Sequence, residues 1–328
     1  MKVSSPERLR RFYTLFSGQD SVLILINADP DSIASAMAVK RLLWRKVASV
    51  TISNINIIKR PDNIAMIRLL GVKLTQFNKI DPAQYTRHVI VDSQPNHHEA
   101  FADMKPDAII DHHPETGAEA PFMDIRPKYG ATASILTEYL RAARIKPSKK
   151  LATGLFHAIK TDTNNFERQT LVEDLNAFQF LFHHVNIHLA RKIEQSDLSV
   201  DLLKYFKTAL NEMRRRKGRV FAHLGPVASP DICVIIADFF MRINTANWSI
   251  VSGLYNKKLI MVFRNDGLHG DTGKVAKACF DHLGSAGGHK SMARAEIPVP
   301  ELEGIIDHKD DKDVLRWIMN QVEKGCKR

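Results

Sequence analysis

The chain has 328 residues, 44% of them hydrophobic and 25% charged, a balance that excludes a disordered or collagen-like polypeptide and leaves room for two cores. Lysine and arginine outnumber aspartate and glutamate 47 to 36, a formal charge of +11 that favours anionic partners such as nucleotides, nucleic acid or polyphosphate. Cys233, Cys279 and Cys326 lack CxxC spacing, which argues against a disulfide framework or thiolate metal site, and no apolar run reaches the roughly 18 residues of a membrane span. Met1 to Pro6 lack the apolar core of a signal peptide, so a cytoplasmic protein without membrane contact is expected.

Residues 7–17 read as a short basic helix. The apolar run from Val22 to Ile26 then breaks into Asn27-Ala28-Asp29-Pro30-Asp31, and a helical small-residue pattern follows from Ser32. A strand, an acidic turn and a helix in this order aim Asp29 and Asp31 at the crevice where open α/β sheets bind ligands. Two carboxylates held so close repel each other and call for a cation, although helix capping alone also explains an aspartate here. Val50–Ile58 and Val72–Phe77 read as strands about a helix at Asn63–Leu70. His88–Asp92 and Asp107–Asp111 repeat the pattern of an apolar strand ending on an acid, the second running into His112-His113-Pro114. The alternation predicts a doubly wound, mostly parallel sheet. His97 and His98 fall in a polar loop and read as surface residues within reach of a substrate.

Helices are expected at Ala131–Ala143, Lys149–Thr161, with Asp162 at its exit, Thr170–Val185 and Ile187–Gln195. A long helix from Val200 would close on Arg214-Arg215-Arg216-Lys217 before Gly218, cations that complement a helix dipole. Strands are expected at Arg219–Leu224, Ile232–Ala237, Trp248–Tyr255, Leu259–Arg264 and Arg294–Val299, with helices at Thr272–Leu283 and Asp311–Glu323. The predicted organisation is an α/β domain over 1–195, a helical linker over 196–218 and a smaller α+β domain over 219–328.

The strand-end groups Asp29, Asp31, Asp92, Asp111-His112-His113 and Asp162 form an oxygen-and-nitrogen donor set without thiolate, suited to Mn²⁺, Mg²⁺ or Co²⁺. A shared carboxylate, most simply Asp92, can hold two such ions roughly 3.5 to 4 Å apart, the spacing used in phosphoryl transfer. In the smaller domain, Gly284, Gly287 and Gly288 let backbone N–H groups approach an anion, His289 adds a donor, and Arg264 offers a bidentate phosphate contact.

These segments resemble the DHH phosphoesterase family: DPD at 29–31, VDSQP at 91–95, DHHP at 111–114 and TDTNNF at 161–166 are similar to its four motifs, in order. GSAGGH at 284–289 and Arg264 resemble its DHH-associated substrate-binding domain. The resemblance implies two lobes about an active-site cleft, with Asp29 and Asp92 holding one ion and Asp31, Asp92, His112 and Asp162 the other. It also implies His113 facing the scissile phosphate, Asp111 orienting the histidines, and Arg264, Gly287, Gly288 and His289 binding the far end of a substrate. Three departures stand out. Leu25 occupies a position where the family commonly has a histidine ligand, Asn164-Asn165 replace small glycine-like residues, and KSMARAEIP follows His289.

The expected function is that of a Mn²⁺-dependent phosphoesterase hydrolysing short oligoribonucleotides or 3′-phosphoadenosine 5′-phosphate by attack of a metal-activated water on phosphorus. The alternatives are a linear or cyclic dinucleotide phosphodiesterase, a single-strand exonuclease, an exopolyphosphatase, or a nucleotide- or nucleic-acid-binding module without catalysis. The expected partner is short RNA or a phosphorylated nucleotide, and the assembly is left open, a homodimer included.

Overall fold

The computed structural model describes residues 3–102, 104–168, 170–195 and 200–325. The chain forms two compact units, Met1–Asp197 and Leu198–Arg328.

In the first unit, strands β1 (Ser21–Ile26), β2 (Ser49–Asn54), β3 (Thr75–Gln76), β4 (Arg87–Val91), β5 (Ala108–Asp111) and β6 (Phe122–Ile125) pair in the order β3-β2-β1-β4-β5-β6, every pair parallel. Apart from Ser21, β1 is buried throughout because both faces are covered. Val22, Ile24 and Ile26 join the larger apolar cluster, while Leu23 and Leu25 pack with Ile90, Phe101 and Ile109 on the other side. Each such side chain stabilises the fold by about 1.5–3 kcal/mol. Between β1 and β4 the order reverses direction, so the carboxyl ends of these two strands open the crevice that parallel sheets use for ligands.

Helices α1 (Ser5–Tyr13), α2 (Pro30–Leu42), α3 (Pro61–Leu70), α4 (Glu99–Ala102), α5 (Thr132–Ala142), α6 (Lys149–Asp162), α7 (Val172–Phe182) and α8 (Ile187–Glu194) complete the unit. Strand β6 was not legible in the sequence: its inward Asp124 breaks the apolar pattern. That carboxylate is fully buried and bound by Arg8, Arg126 and the Tyr139 hydroxyl.

The second unit opens with α9 (Leu203–Glu212), followed by β7 (Arg214–Arg216), β8 (Arg219–Pro226), α10 (Asp231–Phe240), β9 (Trp248–Tyr255), β10 (Lys258–Asn265), α11 (Thr272–Phe280), β11 (Ser285–Gly288), β12 (Met292–Pro298) and α12 (Asp311–Gly325). The sheet order is β11-β12-β10-β9-β8-β7, with β8 and β9 parallel and the other pairs antiparallel, a mixed α+β arrangement.

Two expectations from the sequence do not hold. Residues 196–199 of the expected linker lie outside the described residues, and its later part is not one helix: α9 ends at Glu212, and Arg214–Arg216 turn back on β8. Lys217 (φ 50°) and Gly218 (φ 73°) both adopt the left-handed conformation of a tight two-residue hairpin, and Gly218 makes the turn accessible. The apolar run expected as a strand at Ile232–Ala237 is α10, whose buried Ile232, Cys233, Ile236, Ala237 and Phe240 follow the helical period. The glycine-rich stretch forms the edge strand β11, paired with β12. Gly288 lies so close to Ala293 that an added Cβ would meet its Cα at 2.4 Å.

Candidate metal centre

Asp29 caps α2: its Oδ1 accepts the Ser32 N–H at 2.8 Å, while the Ser32 hydroxyl accepts the Asp29 N–H at 2.9 Å. The cap turns the chain so that Asp31, two residues on, enters the crevice 2% exposed. Both Asp31 oxygens accept backbone N–H groups from the first turn of α5, Oδ2 from Thr132 at 2.7 Å and Oδ1 from Ala133 at 2.8 Å. A helix N-terminus thus fixes the carboxylate and favours its negative charge.

Asp92 follows β4 directly with φ 59°, a left-handed conformation that turns its side chain back over the strand ends. It is 6% exposed, and its Oδ1 accepts the Thr132 hydroxyl at 2.8 Å. Thr132 therefore holds Asp31 by its backbone and Asp92 by its side chain.

At the end of β5, fully buried Asp111 orients both histidines. Its Oδ1 accepts the backbone N–H of His112 at 2.8 Å and lies 2.8 Å from His113 Nδ1, and its Oδ2 accepts the Gln94 amide at 2.7 Å. His112 directs Nδ1 to the Tyr129 carbonyl at 3.1 Å, which turns Nε2 toward three carboxylates: Asp162 at 3.0 Å, Asp92 at 3.6 Å and Asp31 at 4.0 Å. Asp162 ends α6. The next turn carries Asn164, Asn165 and Phe166, all with positive φ. Asparagine tolerates that conformation, which explains how Asn164-Asn165 stand where small glycine-like residues are usual.

The ligand-capable atoms of Asp31, His112 and Asp162 all lie within 4.8 Å of one another, as do those of Asp92, His112 and His113. Asp29 is near enough for the charges of Asp162 and His113 to act on it. The structure thus brings together Asp29, Asp31, Asp92, Asp111, His112, His113 and Asp162. Arg264, Gly287, Gly288 and His289 belong to the second unit, where they share one end of its sheet: Arg264 pairs with Met292, and the His289 N–H donates to the Met292 carbonyl at 2.7 Å. Arg264 Nε reaches Asp238 Oδ1 at 2.7 Å.

The electrostatics fit a cation. Burial, then the charge of Asp162, raises the Asp31 carboxyl to about 7, and burial with the neighbouring carboxylates holds Asp92 well above the usual range. Burial opposes charge on His112, but the Asp162 hydrogen bond and the charges of Asp31 and Asp162 outweigh it and raise the imidazole to about 9. Asp31, Asp92, Asp162 and His112 form a hard-donor set of the kind Mn²⁺ and Mg²⁺ accept, and a divalent ion there would offset the repulsion among the carboxylates.

Three further residues belong to this constellation. Thr132 offered no sequence signal, because a hydroxyl at a helix start is an ordinary cap residue; Gln94 lies within the VDSQP segment at 91–95, where the resemblance implies no role for it. His97, expected at the surface within reach of a substrate, is exposed as expected, and its ring centroid stands 5.4 Å from that of His113, with its ligand-capable atom within 4.8 Å of those of His113 and Asp111. The HH dipeptide was the available signal; His98 is exposed, accepts the Ala100 N–H at 3.1 Å, and is in none of these groups.

Residues 21–159 match the DHH family, N-terminal domain. This segment of the first unit is a DHH domain, and it carries three of the four motifs. An uncharacterized protein of Methanocaldococcus jannaschii is 34% identical over 301 residues, 92% of this chain and 61% of that protein, so the chain spans about three-fifths of the relative's length. Among solved structures, an exopolyphosphatase-related protein from Bacteroides fragilis is similar in fold, with a TM-score of 0.71 at 16% identity, over 99% of this chain and 98% of that one. The exonuclease RecJ, solved with manganese bound, has a TM-score of 0.50 at 11% identity over 99% of this chain and 95% of RecJ.

Proposed function

We propose that the chain is a Mn²⁺-dependent phosphoesterase that hydrolyses short oligoribonucleotides or phosphorylated nucleotides. The observation that carries this is the convergence of Asp31, Asp92 and Asp162 on His112 Nε2. Asp31, Asp92, His112 and Asp162 would hold one ion and Asp29 with Asp92 a second. Such an ion supplies Lewis acidity toward a phosphoryl oxygen and lowers the pKa of water.

The protein's own groups perform the remainder. Asp111 fixes His113 through Nδ1, and that hydrogen bond raises the imidazole above its ordinary value. His113 Nε2–H is thereby a donor on the open side of the site, able to steady a phosphoryl oxygen or deliver a proton to the leaving oxygen. Leu25, in the apolar layer beneath the crevice, contributes no ligand, which leaves the Asp29–Asp92 position the weaker of the two. Arg264, with Gly287, Gly288 and His289, would hold the distal part of the substrate. The similarity of fold to RecJ and the DHH domain support this chemistry.

The test is release of mononucleotide from 5′-phosphorylated diadenylate across a Mn²⁺ titration. Manganese-dependent release by the parent protein, abolished in Asp92→Ala, is expected. Absence of release on diadenylate, 3′-phosphoadenosine 5′-phosphate and polyphosphate alike would leave a binding protein built on this scaffold.

A further inference from the structure

The second unit concentrates positive charge in a place that neither helix capping nor the metal centre explains. Arg214-Arg215-Arg216-Lys217-Gly218-Arg219 places five cations in six residues, and the structure makes this run a β-hairpin at the edge of the sheet rather than the end of a helix. Arginines on an edge strand block pairing with another chain, which accounts for Arg214–Arg216. Arg216 also reaches Glu323 at 2.8 Å and Arg215 the Thr245 hydroxyl.

Edge protection does not account for Lys217 and Arg219, which form no ion pair among the described residues. Both line a cavity of about 340 Å³ together with Asn247, Trp248, His269 and Val275. The Trp248 indole N–H donates to the His269 carbonyl at 2.6 Å, which fixes the ring, and the Arg219 guanidinium stands over it at 5.9 Å. His269 Nδ1 is engaged by Asp266 Oδ2 at 2.5 Å, which leaves Nε2 for a ligand. Register sets Arg219 beside Trp248, on the face covered by α11 and α12. Arg264 engages Asp238 of α10 and so belongs to the other face.

We infer that the β7–β8 hairpin and its cavity form a phosphate-binding site for single-stranded nucleic acid, on the sheet face opposite to Arg264. Two cations at the mouth without a carboxylate partner suit a phosphate, and the volume suits one nucleotide, with the amide and imidazole available to its polar edges. A base reaches such a cavity only when unstacked, which selects a single strand over a duplex, while the arginines outside offer charge to neighbouring phosphates.

The experiment measures binding of a fluorescein-labelled single-stranded oligoribonucleotide to the full chain by anisotropy, in chelator, across a salt series. Hydrolysis plays no part there, so an inactive metal site leaves the measurement intact and a failure of binding leaves the proposed chemistry standing. Lys217→Ala with Arg219→Ala should weaken binding roughly tenfold and flatten the slope of log K against log salt by about 1.4, the loss expected for two phosphate contacts. Arg219→Lys should restore most of the salt slope. Lys257→Asn with Lys309→Ser, which removes equal charge elsewhere in the same unit, should change binding little. Equal weakening by the two double variants, no weakening by the first, or equal competition by poly-glutamate would overturn the assignment. Circular dichroism melts confirm that the variants are folded.

Discussion

Thr132 shows how much of the centre rests on a residue that ligates nothing. Its hydroxyl donates to Asp92 and its N–H to Asp31, so Thr132→Val removes the first contact while leaving shape and the second intact. Loss of such an orienting contact costs about 10–100-fold in metal affinity. Calorimetric Mn²⁺ titration of Thr132→Val should show that drop with an unchanged melting profile in chelator; unchanged affinity would mean that Asp92 is positioned by its backbone alone. The acids and histidines were legible because carboxylates delivered again and again by strand ends repel one another unless they gather a cation. The contacts of Thr132 and Gln94 were not, since they join residues far apart in the chain. Leu25 was legible as a departure, and the structure adds its surroundings: Leu23, Ile90, Phe101 and Ile109 form a dry layer in which an imidazole would carry a desolvation cost.

Among the elements, α/β alternation in the first unit was readable because buried parallel strands are continuous apolar runs bounded by turns. Failures came where one pattern serves two structures. The run at Ile232–Ala237 suits a buried strand or a buried helix, and only its packing against β9 and β10 decides. The basic run at Arg214–Lys217 suits a helix end or an edge strand, and the hairpin turn at Lys217-Gly218 decides. Within the glycine-rich stretch Gly288 also has a packing duty, with φ 152° and the Met292 carbonyl oxygen and Ala293 Cα both 2.4 Å from where a Cβ would stand. Gly288→Ala should destabilise the second unit by about 1–3 kcal/mol through overpacking. Urea unfolding measures this, and a variant as stable as the parent would show that β11 is free to move away from β12.

For the molecule as a whole, metal, protons and stability are linked. Asp31 is raised to about 7 and His112 to about 9, so a cation must displace protons, and its affinity should rise as pH rises through this range. At a free concentration of 100 times the dissociation constant the ion adds about 2.7 kcal/mol to the folded state. Scanning calorimetry should show that gain in the transition of the first unit, larger at pH 8 than at pH 6 (about one unit either side of the Asp31 value). A gain independent of pH would mean that the ion binds elsewhere. No helix among the described residues is long and apolar enough to cross a membrane.

Asp31 and Asp92 leave the sheet on opposite sides of its switch point, yet both are gripped by Thr132, 101 and 40 residues further along the chain. The gap between these carboxylates is therefore gauged by the segment leading from β6 into α5 rather than by the pairing of β1 with β4. Deleting one residue there would rotate the first turn of α5 and carry the Thr132 hydroxyl and N–H away from both acids, with every acid and histidine of the centre still in the sequence. Connector length is thus a dimension on which this centre depends, and homologues that keep all four motifs but alter that length are expected to bind the metal more weakly.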